Sequence, residues 1–430
     1  MFGKTLTLQF KQWWYRTALG LRDPHSRDFD AANSELYRKL GDTFVELGQW
    51  ENALNAYLGT NAPSNRHPSE RDRKKLRELA LNLLDRSDED AAFAAFLRAI
   101  ELDPTRDWVE FYPFWQSIES KPVPWGERVV EVLRRLAAKY PDERHTSLNV
   151  AEALTRMGKV QDARPWYRTA SEQRLRVERP HLDFSAFTQP TRPEFTIVGV
   201  MKGGTSSLSH YFSQHPQILP SARKEIDFWS WKYHRGLDWF LAHFPPHPEF
   251  ERFIAGDASP TYFQHRQAPE RLFEAFPQMK ILVLLRNPVD RTVSHYYHRH
   301  RSGFESRPLA DAIRANIQQI ERGEIHPDKL DNPVASSLYV FPLQRWTNQF
   351  PSEQIRILFS EELFENCHQT LDRLWTFLDL PPHTLDVAEI RNSGEYPPID
   401  DAVRRELSDF FRPYNRQLED LLDRPTPWNV

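Results

Sequence analysis

A single cysteine, Cys367, stands in a chain of 430 residues. That excludes an intramolecular disulfide and a cysteine-rich zinc site, and leaves Cys367 as a small apolar residue of a packed segment. Long hydrophobic runs are missing as well. Nothing approaches the ~20 consecutive apolar residues that span a bilayer, and the N-terminus lacks the continuous apolar core of a secretion signal. An excess of positive charge is also absent: the formal net charge is −4, whereas a general nucleic-acid binder needs a broadly basic surface. What remains, 27% charged and 40% hydrophobic residues, is the balance of a soluble globular protein. The length points to two or three domains, and the expected compartment is the cytoplasm.

The stretch Phe195–Leu208, Phe-Thr-Ile-Val-Gly-Val-Met-Lys-Gly-Gly-Thr-Ser-Ser-Leu, organises the chain. A short β-branched run ends at Gly199-Val200, a loop carries Lys202, Gly203 and Gly204, and Thr205, Ser206 and Ser207 open an amphipathic segment. Strand, tight turn and helix start together make an anion site. Glycine lets the backbone approach closely, the amides of the first helical turn point at the ligand, and the helix dipole favours negative charge. It is not a nucleoside-triphosphate loop, which needs Gly, four residues, then Gly-Lys-Ser/Thr. Here Thr205 holds the lysine position and the lysine lies two residues before the second glycine. An ordinary strand–turn–helix with an incidental lysine is the competing reading.

After this stretch, strands and helices alternate, which predicts an α/β domain with a mainly parallel sheet. Gln217–Leu219 and Ile226–Trp229 read as short extended pieces, Phe253–Ala255 and Ile355–Phe359 as strands. Gly236–Phe244, Ala268–Phe276, Ser336–Gln349, Leu363–Leu378 and Asp401–Leu422 read as helices. Lys280–Arg286 is a continuous apolar run, as expected of a parallel strand covered on both faces. Asn287 and Pro288 then cap and open a helix to about Arg301. Arg286 ends the strand and Ser294 lies about two turns into that helix. A guanidinium fork binds phosphate bidentately; alternatively, Arg286 pairs with Asp290 and Ser294 only packs. Two anion sites at strand ends would suit a ligand with two separated phosphate-like groups.

The N-terminal part shows a different period. Large and small residues recur in the ~34-residue register of helix pairs: Tyr37, Leu40, Gly41, Phe44, Gly48, Ala53 and Tyr57; then Leu76, Leu79, Ala80, Leu83, Ala92, Phe96 and Ala99; then Ser147, Val150, Ala151, Leu154, Gly158, Ala163, Tyr167 and Ala170. This resembles the tetratricopeptide-repeat family. The resemblance implies an all-α solenoid over residues 30–175, with a groove for a protein partner or an extended acceptor; a structural cap on the next domain is an equal alternative. Residues 176–193, with Pro180, Pro190 and Pro193, read as a linker, and 194–430 as the α/β domain. Before the repeats, residues 1–29 hold Leu6, Phe10, Trp13 and Leu21 near one helical face among Lys4, Lys11, Arg16 and Arg22. Peripheral membrane contact through residues 4–22 is one reading; docking onto the following helices is favoured.

Residues 198–208 resemble the 5′-phosphosulfate loop of sulfotransferases that use 3′-phosphoadenosine 5′-phosphosulfate (PAPS), and Leu284–Tyr296 resembles their 3′-phosphate motif. Lys224-Glu-Ile-Asp-Phe-Trp229, Gly236–Trp239, Gly256–Tyr262, Tyr339–Trp346 and Tyr396–Asn415 are similar to segments of the heparan-sulfate-type branch. The likeness covers roughly 194–428 and implies a P-loop-like sulfotransferase fold. It implies that Lys202 and Gly203, Gly204, Thr205, Ser206 and Ser207 hold the 5′-phosphosulfate, with Lys202 also catalytic. Arg286 and Ser294 would hold the 3′-phosphate, Tyr339 would contact the nucleotide, and Glu225 would be the general base. PAPS is the implied donor and 3′-phosphoadenosine 5′-phosphate (PAP) the product, with no metal. The acceptor would be a hydroxyl or amine on a glycan or small molecule, and the enzyme a bacterial cytosolic one. Two departures stand out: Ala258 replaces a lysine found in animal members, a role Lys224 or Arg223 could fill, and the late lysine-glycine-arginine loop becomes Asn392–Tyr396. A catalytically weakened scaffold and a P-loop nucleotide kinase stay open as alternatives.

Overall fold

In the computed structural model, the described residues are 89–104, 106–108, 126–248, 252–326, 329–385 and 397–428, with isolated positions before 89 and at 115. Nearly all of residues 1–29, and the whole of Asn392–Tyr396, lie outside them. The chain divides into two compact units, Met1–Ala170 and Ser171–Val430. No helix among the described residues is long and apolar enough to cross a membrane.

The first unit is helical: α1 (Glu89–Leu102), α2 (Glu127–Lys139), α3 (Arg144–Arg156) and α4 (Val160–Glu178), the last continuing past Ala170. On α2, Val129, Val130, Leu133, Leu136 and Ala137 form the buried stripe that helical spacing dictates. In the third register, Ser147, Val150, Ala151, Leu154, Ala163, Tyr167 and Ala170 are all buried. Gly158 turns the chain between α3 and α4 at φ +74°. The Tyr167 hydroxyl donates to the buried Glu152 carboxylate at 2.8 Å, and Arg156 Nε donates to the same carboxylate at 2.8 Å. The described members of the two earlier registers, among them Leu40, Phe44, Leu79, Ala80, Phe96 and Ala99, are buried too.

The expected linker is partly structured. α4 runs to Glu178, Asp183 caps a 3-10 turn at Phe184–Ala186, and β1 (Phe187–Gln189) follows. The chain then continues through β2 (Phe195–Gly199), α5 (Thr205–Gln214), β3 (Ile218–Leu219), α6 (Leu237–Leu241), β4 (His247–Pro248), β5 (Ile254–Ala258), α7 (Ala268–Ala275), β6 (Lys280–Leu285), α8 (Pro288–Arg301), α9 (Leu309–Glu321), α10 (Val340–Gln349), β7 (Ile355–Phe359), α11 (Ser360–Glu365), α12 (Cys367–Phe377) and α13 (Asp401–Leu422). β1 pairs antiparallel with β4. The main sheet has the order β3-β5-β2-β6-β7, and every pairing in it is parallel.

Parallel strands covered on both faces need apolar residues throughout, and β2 and β6 supply them: all of Phe195–Gly199 is buried, as is Ile281–Leu285. One face packs Ile197, Leu282 and Leu284 against Leu208, Tyr211 and Phe212 of α5 and Leu374 and Trp375 of α12. A second core joins Val289 and Val293 of α8, Ile313 and Ile317 of α9 and Leu407 and Phe411 of α13. Helix α9 is not among the elements expected above, although Ile313, Ile317 and Ile320 recur at helical spacing on its buried face.

The topology fixes where a ligand goes. From the central β2 the chain moves to one side for β3 and β5, then crosses to the other for β6 and β7. Connections therefore part at the carboxyl end of β2, the switch point at which parallel sheets bind ligands. Leu282 lies at the centre of this sheet with no exposure. Leu282→Ala should lower unfolding free energy by ~2–5 kcal/mol, read as a shift in the urea midpoint; a loss under 1 kcal/mol would mean that this core is not tightly packed.

Candidate active site

β2 and β6 are neighbours, so the loops that follow them meet. Val200 N–H donates to Leu284 O at 2.9 Å, and Arg286 Nη1 donates to Lys202 O at 3.2 Å. Gly203 is pressed against β6: a Cβ there would stand 2.6 Å from Leu284 O. Ser360 Oγ, at the start of α11, donates to Gly203 O and Leu285 O and closes the loop from the far side. Lys202 is left-handed at φ +67° and Gly204 at +94°. No side chain caps the N-terminus of α5, which leaves the first-turn amides of Thr205, Ser206 and Ser207 aimed outward as an anion site.

Arg291 ties this loop to α8 and is fully buried. Its Nε donates to Met201 O at 2.9 Å, and its Nη1 to Pro333 O, Ser336 Oγ and Ser337 Oγ. These acceptors are all neutral. Burial pushes the guanidinium down to about 10, so the cation persists at neutral pH beneath the loop. Arg286 uses one nitrogen on Lys202 O, and Asp290, its alternative partner, instead pairs with Arg404 at 2.9 Å. Ser294 is buried on α8, two turns beyond Arg286. Tyr339, expected against a nucleotide, is only 2% exposed, and its hydroxyl donates to Arg286 O at 2.8 Å. In this structure it therefore positions Arg286 from behind.

Glu225 reaches the site along an irregular segment. Ile226–Trp229 is not the extended piece expected, because Glu225 and Asp227 are left-handed at φ +61° and +57° and break the pleat. The turn after β5 holds that strained backbone. Glu225 N–H donates to Ala258 O, Asp227 N–H to Ser259 Oγ at 3.0 Å and Phe228 N–H to Tyr262 OH at 2.9 Å. Ser259 and Tyr262 in turn donate to the buried Asp257 carboxylate, and Thr261 Oγ1 donates to Asp227 Oδ1 at 2.8 Å.

Lys224 Nζ donates to Ser206 Oγ at 3.0 Å and to Glu225 Oε1 at 2.5 Å, joining the anion loop to the carboxylate. The Glu225 side chain is 49% exposed at the surface of the site. Lys224 and Ser206 also line one cavity with Ala258. Lys224 thus lines the same cavity as Ala258, whereas Arg223 Nε donates to Lys224 O.

Two histidines of α8 escape sequence reasoning. Desolvation lowers the pKa of His298, next the Lys202 ammonium lowers it further, and Glu225 opposes both. His295 is buried and held well below the usual range by desolvation first, then by Arg291, Arg299, His298 and Lys202. The available signal was spacing, since His298 falls one turn after Ser294 on the same helix face.

Residues 192–393 match the sulfotransferase domain family. That stretch is similar to sulfotransferase domains. Over 55% of its length it is 27% identical to a membrane-associated sulfotransferase, kil1, of Dictyostelium discoideum, covering 66% of that protein. Over 54% it is 30% identical to human bifunctional heparan sulfate N-deacetylase/N-sulfotransferase 2, covering 30% of it. Over 55% it is 26% identical to mouse heparan sulfate glucosamine 3-O-sulfotransferase 5, covering 74%. The chain therefore spans less than two-thirds of the first two relatives. The matched residues include the loops after β2 and β6, the Glu225 segment and the turn that holds it.

That turn has a pH signature. Burial raises Asp257 from 3.8 to about 6; the bonds from Tyr262 and Ser259 oppose the shift, and the Asp227 charge adds to it. Asp227 is raised as well, chiefly by burial. A carboxyl with a raised folded-state pKa binds more protons folded than unfolded, so its contribution to stability is present at low pH and is lost as pH climbs from about 4 to about 6. Between these limits wild-type stability should fall relative to Asp257→Asn by up to roughly 3 kcal/mol, read from urea titrations at each pH. Parallel pH profiles for the two proteins would refute the assignment.

Proposed function

We propose that the domain transfers the sulfuryl group of PAPS to a hydroxyl or amine of a carbohydrate acceptor. The observation that carries this is the junction of the two loops: Arg286 Nη1 on Lys202 O makes a single site with two cationic ends. Three features fit a donor with phosphate groups at both ends. The α5 N-terminus is uncapped, Gly203 lets the loop lie close against β6, and the buried Arg291 Nη2 has no partner among the described residues. Heparan sulfate in the names of two relatives supports a carbohydrate acceptor, with both N- and O-transfer represented. The cytoplasmic placement read from composition stays a proposal, beside a relative named as membrane-associated.

PAPS supplies a group whose in-line transfer places charge on the equatorial and bridging oxygens. Lys202 and the amides of Thr205–Ser207 hold the 5′ end and stabilise that charge, a contribution commonly of several kcal/mol. Arg286 and Ser294 hold the 3′-phosphate, and Tyr339 fixes the Arg286 backbone. Glu225 takes the acceptor proton. Lys224, bonded to both Ser206 and Glu225, keeps base and loop in register and serves as the second cation where Ala258 replaces lysine. The N-terminal helix pairs, read as tetratricopeptide-like repeats, offer a docking surface for a protein partner or an extended acceptor.

Arg286→Ala and Lys202→Ala should each weaken PAP binding by roughly 10- to 100-fold, the range for removing a charge-assisted contact. Wild-type affinity in both variants, measured by calorimetry, would rule out the site. Glu225→Gln should bind PAP normally while transfer of labelled sulfate from PAPS to a glycan panel drops ~10²- to 10⁴-fold. Near-normal transfer would remove Glu225 from the role of base.

A further inference from the structure

After α13 the chain reads Asp-Arg-Pro-Thr-Pro-Trp over residues 423–428. Pro425 and Pro427 fix their own φ and push Arg424 and Thr426 towards extended backbone, so the segment loses little freedom when it docks. Asp423, left-handed at φ +49°, turns it off the helix. Thr426 N–H and Oγ1 donate to Glu419 Oε1 at 2.9 and 2.8 Å. Arg424 Nη2 donates at 2.9 Å to Ile357 O of β7, the edge strand of the main sheet. Trp428 is left only 7% exposed, with its ring centroid 5.2 Å from that of Phe359 and 5.9 Å from that of Tyr339.

These contacts converge on the loop after β6. Three side chains hold its backbone: Ser360 Oγ donates to Leu285 O at 2.9 Å, Tyr339 OH donates to Arg286 O at 2.8 Å, and Glu361 Oε1 accepts from Asn287 N–H at 2.8 Å. Trp428 reaches two of the three. Its ring lies against Tyr339, and its Nε1–H donates to Glu361 Oε2 at 3.0 Å. Glu361 therefore keeps one oxygen on the loop and the other on the indole. Burial above all raises the Tyr339 pKa, which keeps that hydroxyl a donor to Arg286 O, and the indole is one of the rings that cover it. An indole placed only to fill space could use any acceptor; here the acceptor is the carboxylate that holds the Asn287 amide.

We infer that Trp428 is a positioning residue for the 3′-phosphate: through Tyr339 and Glu361 it sets where Arg286 stands, and so how well the site tells a nucleotide with a 3′-phosphate from one without. The inference rests on the assignment of Arg286 to the 3′-phosphate proposed above. A guanidinium meets a phosphate bidentately in one planar geometry. A small shift of the Arg286 backbone therefore costs affinity for the 3′-phosphate and spares the 5′ end, which belongs to Lys202 and the α5 amides. Loss of the indole also takes one of two N–H donors from the Glu361 carboxylate, and the less compensated negative charge then opposes an anion bound at the loop.

The test titrates the full chain in a calorimeter with PAP and with adenosine 5′-phosphate, so that the ratio of the two affinities reads the 3′-phosphate alone. Trp428→Ala should lower PAP affinity roughly ten-fold while the affinity for adenosine 5′-phosphate stays at the wild-type value. Trp428→Phe keeps a ring against Tyr339 and loses the N–H; it should lower the ratio by about three-fold, and it carries the test if the alanine variant does not fold. Glu361→Gln cannot accept from both N–H groups and should show the same selective loss. The double variant Trp428→Phe/Glu361→Gln should lose no more than Glu361→Gln alone. An unchanged ratio in the folded Trp428 variants, equal losses for both nucleotides, or additive losses in the double variant overturns the inference and leaves the Arg286 assignment standing. A wild-type chain that binds the two nucleotides equally overturns both.

Discussion

The site depends on a buried guanidinium. Arg291 lies in the second turn of α8, has no exposure, and reaches Met201 O in the anion loop while its other arm binds the Pro333–Ser337 turn. A buried cation bonded only to neutral acceptors is held in place at the expense of its lost hydration, and it gives the loop above a positive potential that water does not screen. The same bond fixes the loop that follows β2 against the helix that follows β6. The backbone that carries Lys202 is thereby held beside Arg286, and under the proposed function an anion bound there would relieve the unbalanced charge that the fold creates.

A second constraint concerns the Glu225 segment. Glu225 stands on a backbone with two left-handed non-glycine residues, a local strain of order 1–3 kcal/mol each. The turn after β5 sustains it by giving Ser259 and Tyr262 to the segment's amides, and Asp257 in turn orients both hydroxyls. Rigid support of this kind is what a base needs if it is to stand within reach of an acceptor hydroxyl or amine. Lys224 then joins this half of the site to the other. The loop after β2, the Glu225 segment and the turn after β5 thus form one connected framework, bonded mainly through side chains.

Much of this was legible in the residues. The strand–glycine–helix pattern at Phe195–Leu208 and the apolar run of β6 stated where the two strands end and their helices begin, because strand burial and helix-start chemistry are local properties. Asn287 caps α8 with bonds to Val289 and Asp290 amides, as the Asn-Pro pair implied. The supporting contacts were not legible. That Tyr339 would turn its hydroxyl to Arg286 O, or that Arg291 would reach Met201 O, depends on pairs 53 and 90 residues apart in sequence. Ile226–Trp229 looked like a strand because its residue types favour one, but tertiary bonds from Ser259 and Tyr262 overrode that preference. His298 was hidden for the same reason: its relation to Lys202 and Glu225 exists only once β2 and β6 are paired.

The central claim is that the loops after β2 and β6 form one site for a ligand with two separated phosphate groups. Calorimetric titration of the full chain with PAP and, in parallel, with adenosine 5′-phosphate tests it most directly. The account predicts binding of PAP at least ~10-fold tighter than of the monophosphate, the difference being the 3′-phosphate held by Arg286 and Ser294. Equal affinity for the two nucleotides, or no binding of either, would contradict it.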